Sequence, residues 1–211
     1  PRSSSAASDV YKRQDKSHGT YWSCVCVSPD GTQIAASGAY ETAMLYTIDT
    51  SSWHIQDTRI LDNGSESVEH NIRHITFSPD GTRVIAAYSE GRLRIWDAHN
   101  GNQVYDSQLD VQLDPIQCMA LSPDGKYIAC GYFSDTRQID ASLEIFQVNE
   151  NDQLGMVWFD IRNYGTFAVD WSPDGTRIVV ASRRTQGEPF RLQIHKQIHG
   201  KLQMNSMSKG T

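Results

Sequence analysis

From His74 to Tyr105 apolar and polar residues alternate in short runs broken by turn residues, the period-two pattern of half-buried strands. Ile75 and Phe77 flank Thr76, and Ser78-Pro79-Asp80-Gly81 follows as a turn, its Pro presetting φ and its Gly free to take φ > 0. Val84 to Tyr88 forms a second run, Ser89-Glu90-Gly91 a second turn, Leu93-Arg94-Ile95-Trp96 a third run and Asn100-Gly101 a third turn. A last run, Asn102 to Asp106, completes a four-stranded antiparallel meander.

The same unit occurs four times. Ser-Pro-Asp-Gly begins at Ser28, Ser78, Ser122 and Ser172, at intervals of 50, 44 and 50 residues. Two large apolar residues precede each turn: Val25 and Val27, Ile75 and Phe77, Met119 and Leu121, Val169 and Trp171. Between them lie Cys26, Thr76, Ala120 and Asp170. Such a strand has one bulky and one small-residue face, which lets neighbouring sheets nest. Second strands align at Ile34, Val84, Ile128 and Ile178, and again at Ala36, Ala86, Cys130 and Val180. Third strands align at Leu45, Ile95, Ile145 and Ile194, followed by Tyr46, Trp96, Phe146 and His195. Six residues past the Ile or Leu stand Ser51, Gly101, Asn151 and Gly200, of which Gly and Asn readily take the left-handed conformation. Repetition at this period predicts stacked blades over about 18–60, 68–109, 112–160 and 162–207.

The units differ in one place. From the turn Gly to the Tyr, Trp, Phe or His position the distances are 15, 15, 21 and 20 residues. The surplus lies between the second and third strands of the last two units, at about Tyr132 to Ser142 and Arg183 to Phe190. Loops of one type leave one face of a repeat array, where binding usually resides. The candidate partner contacts are therefore Tyr132, Phe133, Asp135 and Arg137 in one loop, and Arg183, Arg184, Glu188 and Phe190 in the other.

The Ile95-Trp96-Asp97 ending, joined to these turns, resembles the WD-repeat β-propeller family from about His18 to Lys201. The resemblance implies an all-β fold of four-stranded blades and a non-catalytic scaffold that binds other proteins. Many members build a hydrogen-bonded tetrad from a His before the first strand, a Ser in the second, an Asp in the turn before the third, and the Trp. Here His18, Trp96 and Asp97 keep their places, Glu90 stands where Asp is usual, and the Ser position holds Ala36, Ala86, Cys130 and Val180. Blade cohesion is therefore expected to rest on apolar packing. Gly31, Gly81, Gly125 and Gly175 should sit at φ > 0, and Trp96 should be a packing anchor. Four blades predict an open arc of a larger ring, with a closed four-bladed ring as the alternative.

A net charge of −6 without a dense basic run argues against nucleic acid as a partner. No apolar run approaches the length of a membrane-spanning helix, so no membrane partner is expected. Residues 1–14 resemble a translated sequencing adapter and are excluded from fold reasoning as non-native, with the natural N-terminus expected to be missing. Cys24, Cys26, Cys118 and Cys130 form no CxxC pair and read as buried free thiols, which suits a reducing compartment and a cytoplasmic location.

Candidate chemistry is sparse. His195 and His199 have the spacing of two ligands on a helix, but the repeat register puts a strand there, and His70 and His74 span a loop and a strand. Asp170 near the axis could bind a cation or polarise a substrate, as acidic clusters of propeller lactonases do, but it stands with only His74 and Thr76 in the innermost strands. Asn63-Gly64-Ser65 is a glycosylation sequon, meaningful only in a secreted protein. The chain is therefore expected to need no metal, cofactor or small-molecule substrate and to act as a scaffold. The alternative is a lactonase-like or TolB-like propeller enzyme.

Overall fold

A computed structural model describes residues 22–38, 42–63, 71–107, 116–133, 143–160, 165–183, 191–198 and 201–205. They form four antiparallel sheets of four strands, each a meander in chain order. Blade 1 holds β1 (Trp22–Val27), β2 (Gln33–Gly38), β3 (Thr42–Asp49) and β4 (His54–Asn63). Blade 2 holds β5 (Ile72–Phe77), β6 (Arg83–Tyr88), β7 (Leu93–Asp97) and β8 (Gln103–Asp106). Blade 3 holds β9 (Ile116–Leu121), β10 (Tyr127–Tyr132), β11 (Leu143–Val148) and β12 (Leu154–Asp160). Blade 4 holds β13 (Gly165–Trp171), β14 (Arg177–Arg183), β15 (Arg191–Ile198) and β16 (Lys201–Asn205). His195 lies within a strand, so the helix that a His195–His199 metal pair requires is not formed; His199, like His18 and His70, is outside the described residues.

The recurrent turn is built by its own side chains. Ser28 Oγ donates to Asp30 Oδ1 at 2.6 Å and accepts from Gln33 N at 2.8 Å, while Thr32 N donates to the same carboxylate oxygen at 3.0 Å. The other three turns repeat the pattern, with Ser–Asp distances of 2.6, 2.6 and 2.5 Å. Gly31, Gly81, Gly125 and Gly175 sit at φ of 76, 74, 70 and 66°, the expected left-handed region. Consecutive turns also touch: a Cβ on Gly125 would stand 3.3 Å from Pro79 Cδ. Gly81→Val is therefore expected to cost about 1–2 kcal/mol, the left-handed penalty of a side chain, read as a lower midpoint in urea unfolding.

The turns between third and fourth strands depart from the expected register. Gly101 is left-handed at φ 77°, but in blades 1 and 3 that conformation falls on Trp53 (55°) and Asp152 (60°) rather than on Ser51 and Asn151. The cause in blade 1 is a third strand that runs two residues further than in blade 2, pairing through Asp49↔His54. Asp49 O then accepts from Trp53 N at 2.7 Å, just as Asp97 O accepts from Gly101 N at 2.8 Å.

Blades nest bulky face on small face. Ile75 and Phe77 pack against Cys24 and Cys26 of blade 1, Met119 packs with Ile85 and Ala87 of blade 2, and Trp171 packs on blade 3, its indole donating to Ala120 O at 3.2 Å. Cys118 and Cys130 are buried, whereas Cys24 and Cys26, facing Ile75 and Phe77, are half-buried rather than buried as expected. Burial pushes the Cys26 and Cys118 thiols up to about 12, so these thiols stay protonated.

Packing runs from β1 to β5, β5 to β9 and β9 to β13, and among the described residues the first and last blades do not pack on each other. The arc is open, not a closed four-bladed ring. Val25 and Val27 on the outer face of blade 1 are 65% and 58% exposed, and Leu192 of blade 4 is 61% exposed. Ala168 and Asp170, on the small-residue face of β13, are exposed too.

Apolar packing is not the whole of blade cohesion, which corrects the sequence expectation. Asp62 of β4 receives Tyr88 Oη at 2.7 Å and an Arg94 guanidinium N–H, so that blade 1 is tied to blade 2. Arg94 Nε reaches Asp106 at 3.1 Å, and Arg92 Nε reaches the same carboxylate at 2.6 Å. Burial alone would raise the Asp106 carboxyl, but the hydrogen bond and charge of Arg92, joined by Arg94, hold it below its ordinary value. Blade 2 is tied to blade 3 by Arg83, which holds Asp97 at 3.1 Å and Asp152 at 2.9 Å. Asp97 also caps its own turn, accepting from His99 N and Asn100 N.

Candidate functional site

In a meander the first and third turns leave one end of the strands and the second turn leaves the other. The surplus segments belong to the second turn. Residues 133–142 link β10 to β11 and 184–190 link β14 to β15, where 39–41 and 89–92 suffice in blades 1 and 2. Asp135, Arg137, Arg184, Glu188 and Phe190 lie outside the described residues. Tyr132, Phe133 and Arg183, at the loop stems, are described.

The stems meet on a residue that the repeat pattern did not flag. The Phe133 ring lies 4.4 Å from the Phe167 ring at 44°, and Arg183 Cζ stands 5.1 Å from the centre of the same Phe167 ring. An aromatic pair and a cation over a ring face each contribute about 0.5–1.5 kcal/mol beyond their burial. Gly165 makes room for this stack, since a Cβ there would fall 2.0 Å from Phe133 Cδ2. Tyr132, one of the candidate contacts, is 3% exposed and donates to Glu144 Oε2 at 2.5 Å, so it anchors its stem from inside.

Phe167 reaches this position through a β-bulge. Thr166 pairs with Ser182 and Ala168 with Ala181, leaving Phe167 as the extra residue. The innermost strands of the other blades bulge at the same place, where register shifts leave Ser23, Arg73 and Gln117 as the extra residues. These positions lie five residues before each turn serine, so the spacing that marks the turns also marks the bulges. The bulges put one re-aimed side chain per blade at the loop-bearing end, near the inner edge of the arc.

Asp170 and Thr76 of the innermost strands are engaged individually. Asp170 accepts from Trp171 N at 2.8 Å and Thr76 Oγ1 donates to Phe77 O at 3.4 Å. Burial holds the His74 ring below its ordinary value, which favours the neutral imidazole. Among the described residues, no three His, Cys, Asp or Glu side chains gather in an arrangement that could hold a metal ion.

Comparison with known proteins agrees with this geometry. The family model of the anaphase-promoting complex subunit 4 WD40 domain matches residues 51–122, and that of the WD domain, G-beta repeat, matches 107–139. The WD repeat-containing protein 26 homolog of Drosophila melanogaster is 26% identical over 52% of this chain and 17% of its own length. The small ribosomal subunit protein RACK1 of the same species is 28% identical over 61% of this chain and 39% of its own. The chain thus spans less than half the length of these relatives. Among solved structures, a Bacteroides uniformis protein assigned as a 6-phosphogluconolactonase superposes with a TM-score of 0.71 at 22% identity, over 89% of this chain and 54% of its own. The β-propeller domain of Myceliophteria thermophila Cps50 (Swd1) does so at 0.65 and 19% identity, over 84% and 57%. With four meander blades nested face to face, recurrent Ser-Pro-Asp-Gly turns and these relatives, the chain is similar to the WD-repeat β-propeller family.

Proposed function

We propose that the chain is a non-catalytic scaffold that captures protein partners at the loop-bearing end of blades 3 and 4. The observation that carries this reading is the junction of the two stems: Phe133 and Arg183, from adjacent blades, meet on Phe167, so loops of surplus length start from one braced platform. Loops on a rigid scaffold are the usual place for recognition, and aromatic and Arg side chains dominate protein interfaces. The bulged Gln117 and Arg73 extend the same rim towards blades 2 and 3.

The enzymatic reading draws on fold neighbours alone, at 22% identity or less. His74 and Thr76 on β5 and Asp170 on β13 belong to blades that do not adjoin. A lactonase-type site needs several such groups converging on one point.

Replacing 134–142 and 184–190 by the short connections of blades 1 and 2 is the test. Partners cross-linked to the parent chain should be lost from the trimmed chain, while its melting temperature stays within a few degrees. Retained capture by a folded trimmed chain would sink the proposal.

A further inference from the structure

Between blades 2 and 3, at the end of the strands opposite the long loops, a cleft of about 850 Å³ opens. Pro79 and Pro123, from consecutive Ser-Pro-Asp-Gly turns, line it together with Ile85, Ile95 and Val148. The joint between blades 1 and 2 is better filled. There Arg59 and Leu61 reach across to Gly101, and Gln33 Nε2 donates to Ala98 O at 3.1 Å. Those two side chains come from β4, ten residues long, whereas the corresponding β8 has four.

The charge around the cleft is unbalanced. Asp80, Asp124, Glu150 and Asp152 line it against Arg83 and Lys126. Arg83 is committed to Asp152 and Asp97, so it offers no net positive charge to a ligand. Exposed Asp80, Asp124 and Glu150 then outweigh Lys126. A hydrogen bond from Ser78 holds the Asp80 carboxyl below its ordinary value, which keeps it ionised. In both turns the Ser hydroxyl and the backbone N–H use Oδ1, which leaves Oδ2 for a ligand.

We propose that this cleft docks an extended segment of a partner protein in which aliphatic side chains alternate with Lys or Arg. An extended chain points successive side chains to opposite sides. One set would enter between the prolines towards half-buried Val148, beneath which Ile85 and Ile95 are already buried, and the other would meet the acidic rim. The site lies at the far end of the blades from the loop platform, so the two can be occupied together and tested apart.

The test uses the whole chain and a fluorescent heptapeptide of alternating Lys and Leu, followed by anisotropy. Glu150→Lys is expected to weaken binding about tenfold, and Lys126→Glu to tighten it several-fold, the scale of charge changes at a binding rim. Asp57→Lys, the same charge change on the outer strand of blade 1, should leave the affinity within about twofold. A heptapeptide of alternating Glu and Leu should not bind. Equal weakening by Glu150→Lys and Asp57→Lys would mean general attraction to an acidic chain and would overturn the proposal. So would an affinity indifferent to Glu150→Lys and Lys126→Glu, or no binding of the Lys-Leu peptide. If Glu150→Lys does not fold, the Lys126→Glu arm decides alone.

Discussion

Trp96→Ala is expected to lower the unfolding free energy by about 3–5 kcal/mol, the usual cost of deleting a large buried aromatic together with the cavity left behind. Trp96 is 1% exposed and sits in the cluster that joins blade 1 to blade 2, among Ala35, Leu45, Phe77 and Val84. Strands on both sides fix the walls of that cavity, so little collapse is available to relieve it. Trp96→Phe should cost well under half as much, because the indole N–H has no hydrogen-bond partner among the described residues and nothing polar is lost with it. Urea unfolding followed by far-UV circular dichroism reads both; an unchanged midpoint for Trp96→Ala would remove Trp96 from its role as anchor.

Arg94→Met should cost about 3 kcal/mol at neutral pH, because it takes the guanidinium from Asp62, which keeps the Tyr88 hydroxyl, and leaves Asp106 to Arg92 in a poorly hydrated joint. The side chains of Arg94, Asp62 and Asp106 are all more than four-fifths buried, so water replaces little of what the guanidinium supplies. The pH dependence has a definite sign. The Asp106 carboxyl is depressed in the folded chain, so its stabilising contribution is full above the ordinary carboxylate value and is lost as pH falls through the folded one. The gap between Arg94→Met and the parent should therefore be widest near neutrality and narrow in acid as the Asp106 carboxyl takes up its proton. A constant gap from pH 7 to pH 3 would mean that lost packing of the Arg stem, not lost charge, is the cause.

Blades, strand order and the turn glycines were legible in the sequence because each rests on local chemistry repeated four times. Ser, Asp and Gly of one turn satisfy one another within six residues, so the motif carries its own geometry wherever it occurs. The ionic ties were not legible, since Asp62 and Arg94 are far apart in sequence and neither occupies a repeated position. The left-handed Trp53 was missed for a related reason: β3 stays paired two residues longer and slides the turn by as much, and only pairing across strands reveals it. For the candidate site, surplus length marked the two loops, but length says nothing of the residue on which their stems converge. Phe167 was reachable from spacing, five residues before Ser172, once the other blades are seen to bulge at the same distance.

Among the described residues, the two end faces of the arc are unlike each other, and that gives the arc a polarity. Blade 1 presents Val25 and Val27, the bulky kind of surface, and blade 4 presents Ala168 beside Leu192, the kind that receives it inside the arc. Contact between two copies through these faces is head to tail and heterologous, without a twofold axis across the contact. One such contact leaves one surface of each kind still open, so a pair is not an end point. Assemblies made this way have a direction, as a filament does, and stop only when the last copy meets the first.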